Sequence, residues 1–184
     1  MALCWQGKND DKYIQKWYKE KNFTTLAVEG NHEGYDEINK LPIVKKFGGR
    51  VRKIADNVFY AIRGEIYEIN GKKVLTCGGA DSTDRGYRQE NIDWWAAETI
   101  NQKDFDCALN NLEKYNYNID YFITHTGGAE VARTLGFMPT NSDKYIDFLL
   151  SALPKVRHLC GHYHIDRLIN SQSRILYNDI IELT

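Results

Sequence analysis

The apolar positions of this chain follow two alternating periods. Between residues 10 and 21, Tyr13, Ile14, Trp17 and Tyr18 recur at helical spacing, with acidic residues before them and Lys19 and Lys21 near the end. That pattern predicts a helix. Residues 23–28 are short, β-rich and bounded, and predict a buried strand ending directly at Glu29-Gly30-Asn31-His32. Residues 50–55, 58–63, 65–69 and 73–77 predict four more strands. Asn70-Gly71 between the last two predicts a hairpin, since both turn positions require positive φ. Asn101 can cap a helix over 101–115, whose apolar stripe is Phe105, Ala108, Leu109, Leu112 and Tyr115. Residues 121–123 predict a strand ending at Thr124-His125. Ser142 reads as the cap of a helix over 142–153, with Pro154 just past its end. Residues 156–160 predict a strand running into Gly161-His162-Tyr163-His164, and 167–170 with 174–177 predict a closing hairpin. Strands interleaved with helices predict an α/β or α+β fold rich in sheet.

Composition narrows the function classes. A chain of 184 residues suits one domain, 1–184, with length enough to bury a core. The net charge is −1, so no cationic excess argues for a nucleic-acid backbone as partner. No apolar run approaches a membrane span, and the N-terminal stretch lacks the basic and apolar regions of a secretory signal. Cys4, Cys77, Cys107 and Cys160 form no CxxC pair, and three of them follow or punctuate apolar runs. Buried, reduced thiols in a cytoplasmic protein are expected, and a zinc–cysteine site fits these spacings poorly.

The chemistry-bearing residues cluster just past the predicted strands, where α/β sheets place ligand sites. In Gly161-His162-Tyr163-His164, two histidines two residues apart would project the same way from extended backbone and could share one metal or two neighbouring ones. A pair of surface histidines is the competing reading. His125 follows a strand and precedes Thr126-Gly127-Gly128; a lone histidine there is more often structural. In Gly30-Asn31-His32-Glu33, the Asn31 carbonyl is a hard, uncharged ligand suited to Mn²⁺, Mg²⁺ or Fe²⁺. His32 is placed to act on substrate, and Glu33 could hydrogen-bond its imidazole and raise its pKa. The alternative is an Asn-His turn followed by a helix-capping Glu. Gly78-Gly79-Ala80-Asp81-Ser82-Thr83-Asp84-Arg85 reads equally as a phosphate cradle gripped by Arg85 or as a tight turn with a surface arginine. His158, isolated inside a strand, is assigned no function.

Taken in this order, the four motifs resemble the calcineurin-like metallophosphoesterase superfamily, and the stretch from Trp94-Trp95 to Thr124-His125-Thr126 is similar to its small bacterial and phage-type branch. The resemblance implies a four-layer α/β/β/α sandwich and hydrolysis of phosphate mono- or diesters by a metal-activated hydroxide at two divalent ions (Mn, Fe, Zn or Mg). It implies that Asn31, His125 and His162 bind the second metal, that His164 binds the first, and that His32 contacts substrate and protonates the leaving group. Glu33 and Arg85 would support substrate binding. The family's opening Asp-x-His and Gly-Asp motifs are absent from this sequence and would precede Met1, leaving the first metal to His164 alone. An N-terminally truncated domain is therefore expected, with strand edges open to pairing with another chain. The alternative function is a catalytically inactive remnant that needs a missing segment or a partner chain.

Overall fold

Two mixed sheets organise the chain in a computed structural model that describes residues 3–5 and 9–184. Residues 1–2 and 6–8 of the N-terminal stretch considered above lie outside the described residues. The first sheet holds β1 (Thr25–Ala27), β2 (Ile43–Lys46), β3 (Gly49–Ala55) and β4 (Val58–Ala61) in the order β1-β4-β3-β2. Within it β1 runs parallel to β4, and the other pairs are antiparallel. The second sheet holds β5 (Ile66–Ile69), β6 (Lys72–Cys77), β7 (Tyr121–Thr124), β8 (Arg157–Cys160), β9 (Arg167–Leu168) and β10 (Ser173–Ile175). Its order is β5-β6-β7-β8-β10-β9, with a parallel centre and antiparallel strands at both edges. Five α-helices complete the described residues: α1 (Asn9–Lys19), α2 (Tyr35–Ile38), α3 (Gln102–Lys114), α4 (Ala129–Thr134) and α5 (Asn141–Ala152). The class is mixed α/β.

Local chemistry accounts for the main elements. Every residue of β4 is buried, as expected for a strand covered on both faces. Asn70 and Gly71 both take positive φ, 50° and 76°, and turn β5 into β6. Asn101 caps α3 through a reciprocal box: its side chain accepts from the Lys103 and Asp104 amides, and the Asp104 carboxylate accepts from the Asn101 amide. The apolar faces of α3 and α5 pack on β6 and β7 through Ala108, Leu112, Ile146, Leu149, Leu75 and Phe122. Ile14 and Tyr18 of α1 cover Val58 and Tyr60 of the first sheet, and the two sheets meet where Val51, Phe59 and Ala61 pack on Tyr67.

Several expectations need revision. The cap of α5 is Thr140, not Ser142: Thr140 and Asp143 form the reciprocal box, while Ser142 lies fully buried and accepts from the Ile100 amide at 3.0 Å. The strand expected over 23–28 contracts to three half-buried residues with Phe23 exposed; β1 pairs only with β4 among the described strands. The helical stripe of α1 splits, because Tyr13 is 73% exposed while Ile14 and Tyr18 face the core. The short elements α2, β2 and α4 had no expected counterpart, being too short for a period to show. All four cysteines are free, with Cys4, Cys77 and Cys160 buried and Cys107 half-buried. No helix among the described residues is long and apolar enough to cross a membrane.

Candidate functional site

The ends of β1, β7 and β8 converge. Past β1 the chain reaches Gly30-Asn31-His32, past β7 it reaches His125, and past β8 it reaches His162. These loops enclose a cavity of about 180 Å³ lined by Val28, Gly30, Asn31, His32, Glu33, His125, His162 and His164. Six of the seven residues singled out from the sequence therefore share one cavity. Arg85 does not join them: it sits exposed on a 3₁₀ turn with its guanidinium 5.9 Å from the Trp94 ring.

Three donors meet at the centre. His125 Nε2 lies 3.0 Å from Asn31 Oδ1 and 3.2 Å from His162 Nδ1. The Asn31 amide is oriented from behind, because its Nδ2 donates to Ser82 Oγ at 3.1 Å. Ser82 is held in turn by its own amide, which donates to Glu98 Oε1 at 2.6 Å. The loops are tied to one another by Gly161 N to His125 O at 3.0 Å and Gly79 N to Glu29 O at 2.8 Å. Gly30 has to be glycine because the His125 ring lies against it: a Cβ there would sit 2.9 Å from His125 Cε1.

A buried cation holds the platform beneath this loop. Arg63 donates to Glu29 Oε2 at 3.0 Å, Asp104 Oδ2 at 3.1 Å and the Tyr35 hydroxyl at 2.7 Å, and to the carbonyls of Ala97, Glu98 and Thr99. The Tyr35 hydroxyl donates to Gly30 O at 2.8 Å, so the network ends one residue from Asn31. Burial pushes the Glu29 carboxyl upward, and the Arg63 charge opposes it.

The His125 and His162 imidazoles are biased toward neutrality. Burial, followed by the neighbouring His162, pushes His125 down to about 3. His162 is also lowered, first by burial. Neutral imidazole is the form that ligates metals. Donors around an ion at about 2.1 Å in octahedral geometry stand about 3.0 Å apart. The spacings of His125 to Asn31 and to His162 match that figure. Asn31 belongs to the set by its carbonyl oxygen alone: among the described residues, no group of three or more His, Cys, Asp or Glu side chains is placed to hold a metal ion.

Two details differ from the sequence reading. His162 and His164 do not project together from extended backbone. Both take the left-handed conformation, with φ of 69° and 54°, which costs an L-residue roughly 1–2 kcal/mol. His162 turns to His125, whereas His164 is exposed and stacks on Tyr177 at 5.0 Å. Nor does Glu33 bond His32. Its Oε2 accepts from the Tyr60 hydroxyl at 2.5 Å and from the Cys4 amide at 3.4 Å, and burial raises it to about 8. His32 is instead lowered, by burial and then by Arg88, and its ring lies 5.4 Å from that of Trp5. Sequence reasoning assigned nothing to Arg63, Tyr35 or Trp5, whose roles rest on contacts distant in sequence. Ser82 was in a quoted motif and could have been found there.

No protein-family model, curated protein or solved structure matches this chain.

Proposed function

We propose that the chain is a metal-dependent phosphoesterase domain of the calcineurin-like type, folded as part of that family's four-layer sandwich. The observation that carries the proposal is His125 Nε2 lying 3.0 Å from Asn31 Oδ1 and 3.2 Å from His162 Nδ1 in one cavity. These residues would hold one divalent ion, with His164 at the cavity wall available for a second. When bound, the ion would neutralise phosphate charge and acidify a water. The chain's own part is positional. Ser82 fixes the amide face of Asn31, Gly30 admits the His125 ring, and the Arg63 network holds the loop that carries Asn31. His32 at the cavity rim donates a hydrogen bond to the leaving oxygen of the ester. Because all three donors are neutral, none offsets the positive charge that must attract an anionic ester.

Hydrolysis of bis-p-nitrophenyl phosphate with and without Mn²⁺ tests this, with Mn²⁺ binding measured by calorimetry. Metal-dependent turnover lost in His32→Ala, with Mn²⁺ binding lost in His162→Ala, is expected. Absence of Mn²⁺ binding by the folded protein would refute the proposal. A second reading, favoured by the all-neutral donor set, is metal binding without turnover, in which a carboxylate from another segment or a partner chain must complete the site. Mn²⁺ binding without hydrolysis is its signature.

A further inference from the structure

His162 is shared by two cavities. The second, of about 220 Å³, is also lined by Asp81, Thr126, Phe137, Met138, Asp143 and Tyr163. The threonine donors around its two carboxylates are consumed internally. Thr126 Oγ1 donates to Asp143 Oδ1 at 2.5 Å, and the amide and hydroxyl of Thr140 donate to Asp143 Oδ2 at 2.8 Å each. The Ser142 amide and the Thr99 hydroxyl donate to Asp81 at 2.9 and 3.1 Å. No hydroxyl among these remains to grip an anion, and two carboxylates repel one. A carboxylate has about four acceptor sites, so Asp81 with two of these donors and Asp143 with three each keep capacity to accept from ligand N–H groups.

The apolar wall of this cavity is presented deliberately by the backbone. Helix α4 ends in a Schellman turn: Gly136 at φ 83° donates to Arg133 O, and Phe137 N donates to Ala132 O at 2.9 Å. In such turns the residue after the glycine frequently packs back on its own helix. Here Phe137 lies on Tyr163 instead, with ring centroids 5.8 Å apart and planes 26° apart. Phe137 remains 58% exposed, and Met138 beside it is 87% exposed. A flat aromatic surface, backed on one side and free on the other, adjoins a thioether and two carboxylates.

Resting on the phosphoesterase reading above, we infer that this second cavity is the leaving-group subsite and takes a nucleobase. A nucleobase is uncharged, stacks on an aromatic face, and offers ring or amino N–H donors to Asp81 and Asp143. Phe137 and Met138 are then specificity-determining residues, and His162 marks the passage from base to phosphate.

The test uses the full chain in EDTA and measures binding of adenosine against ribose by saturation-transfer NMR and equilibrium titration. Wild type is expected to bind adenosine and not ribose. The double variant Phe137→Ser/Met138→Ser, whose side chains are exposed, is expected to bind adenosine about tenfold more weakly or worse, the loss of one base–aromatic stack. Phe137→Trp restores binding, and circular dichroism confirms that both variants are folded. With Mn²⁺ present, the double variant lowers kcat/KM for adenosine 5′-monophosphate by about tenfold and leaves ribose 5-phosphate unchanged. Equal affinity for adenosine and ribose, or an unchanged double variant, overturns the inference. Hydrolysis of bis-p-nitrophenyl phosphate by the same preparations separates the two ideas. Turnover without adenosine binding removes the subsite alone, and adenosine binding without turnover removes the esterase reading while the nucleobase site stands.

Discussion

Replacing Arg63 by Met removes a cation whose side chain is 6% exposed, together with bonds to two carboxylates, one hydroxyl and three carbonyls. Methionine fills most of the volume but donates nothing. Glu29, whose side chain is 7% exposed, then keeps a buried charge with no nearby cation in hydrogen-bond contact. Breaking a buried pair from one side costs about 3–5 kcal/mol, against 0–1 kcal/mol for an exposed pair. For a chain of this size each kcal/mol moves the melting temperature by about 2–4 °C, so a fall of about 6–20 °C is expected. Arg63→Lys retains the charge but not the planar fork that serves several acceptors, and should lie between wild type and Met.

Urea unfolding followed by far-ultraviolet circular dichroism measures the loss, and a cycle with Glu29→Gln apportions it. In that cycle the double variant should be more stable than the two single losses added together predict, since Arg63→Met strands a charge that Glu29→Gln has already removed. The network also carries Gly30, so Arg63→Met should weaken Mn²⁺ binding at Asn31 even at temperatures where the variant is folded. A loss below about 1 kcal/mol would refute the reasoning, because it would mean the pair is solvated like an exposed one.

Gly30→Ala should reduce Mn²⁺ affinity by about tenfold or more while leaving folding cooperative, since the new Cβ meets His125 at 2.9 Å and displaces its ring; calorimetric titration reads it. His158, fully buried between Thr124 Oγ1 and Ser173 Oγ, is pushed down to about 3 by burial. Its folded form stays neutral while the unfolded form takes a proton below its ordinary value, so its contribution is complete above that value and lost as pH falls toward 3. The slope is at most about 1.4 kcal/mol per pH unit, and His158→Gln should flatten the pH dependence of the unfolding free energy, read from urea titrations between pH 6 and 4, by up to that slope. Asn101→Ala should cost about 1 kcal/mol by removing the side-chain acceptor of the Lys103 and Asp104 amides in the α3 capping box, with no effect on Mn²⁺ binding.

What the sequence revealed followed the range of the interactions concerned. Asn101 was readable as a cap because its partners are the two amides just ahead of it. Ser142 misled because the hydroxyl of Thr140, two residues earlier, forms the box, and Ser142 spends its own on Ile100, 42 residues away. The strand ends were legible from apolar runs, which is why Asn31, His125 and His162 could be placed in one neighbourhood. The handedness of the His162-Tyr163-His164 turn was not. Nothing in a His-x-His string says that both residues take positive φ; that is imposed where Gly161 bonds back to His125 and Tyr163 lies under Phe137. Arg63 was invisible for the same reason, since its partners Tyr35, Glu29 and Asp104 lie 28, 34 and 41 residues away.

The charges around His162 give the proposed ester a direction. On one side stand three neutral donors, so an ion held there would retain its full charge toward an anion. On the other stand Asp81, held below the usual carboxylate range by the hydrogen bonds it accepts even though burial opposes this, and Asp143. A phosphate placed in the second cavity would face two carboxylates whose nearest hydroxyls already point at them. A nucleobase placed in the first would sit among imidazoles with a single carboxylate, Glu33, whose Oε2 is engaged by Tyr60 and Cys4. The proposed orientation puts the anion where an ion would be held and the N–H donors against Asp81 and Asp143. In that orientation the bond between them passes His162, the residue whose strained backbone the fold maintains.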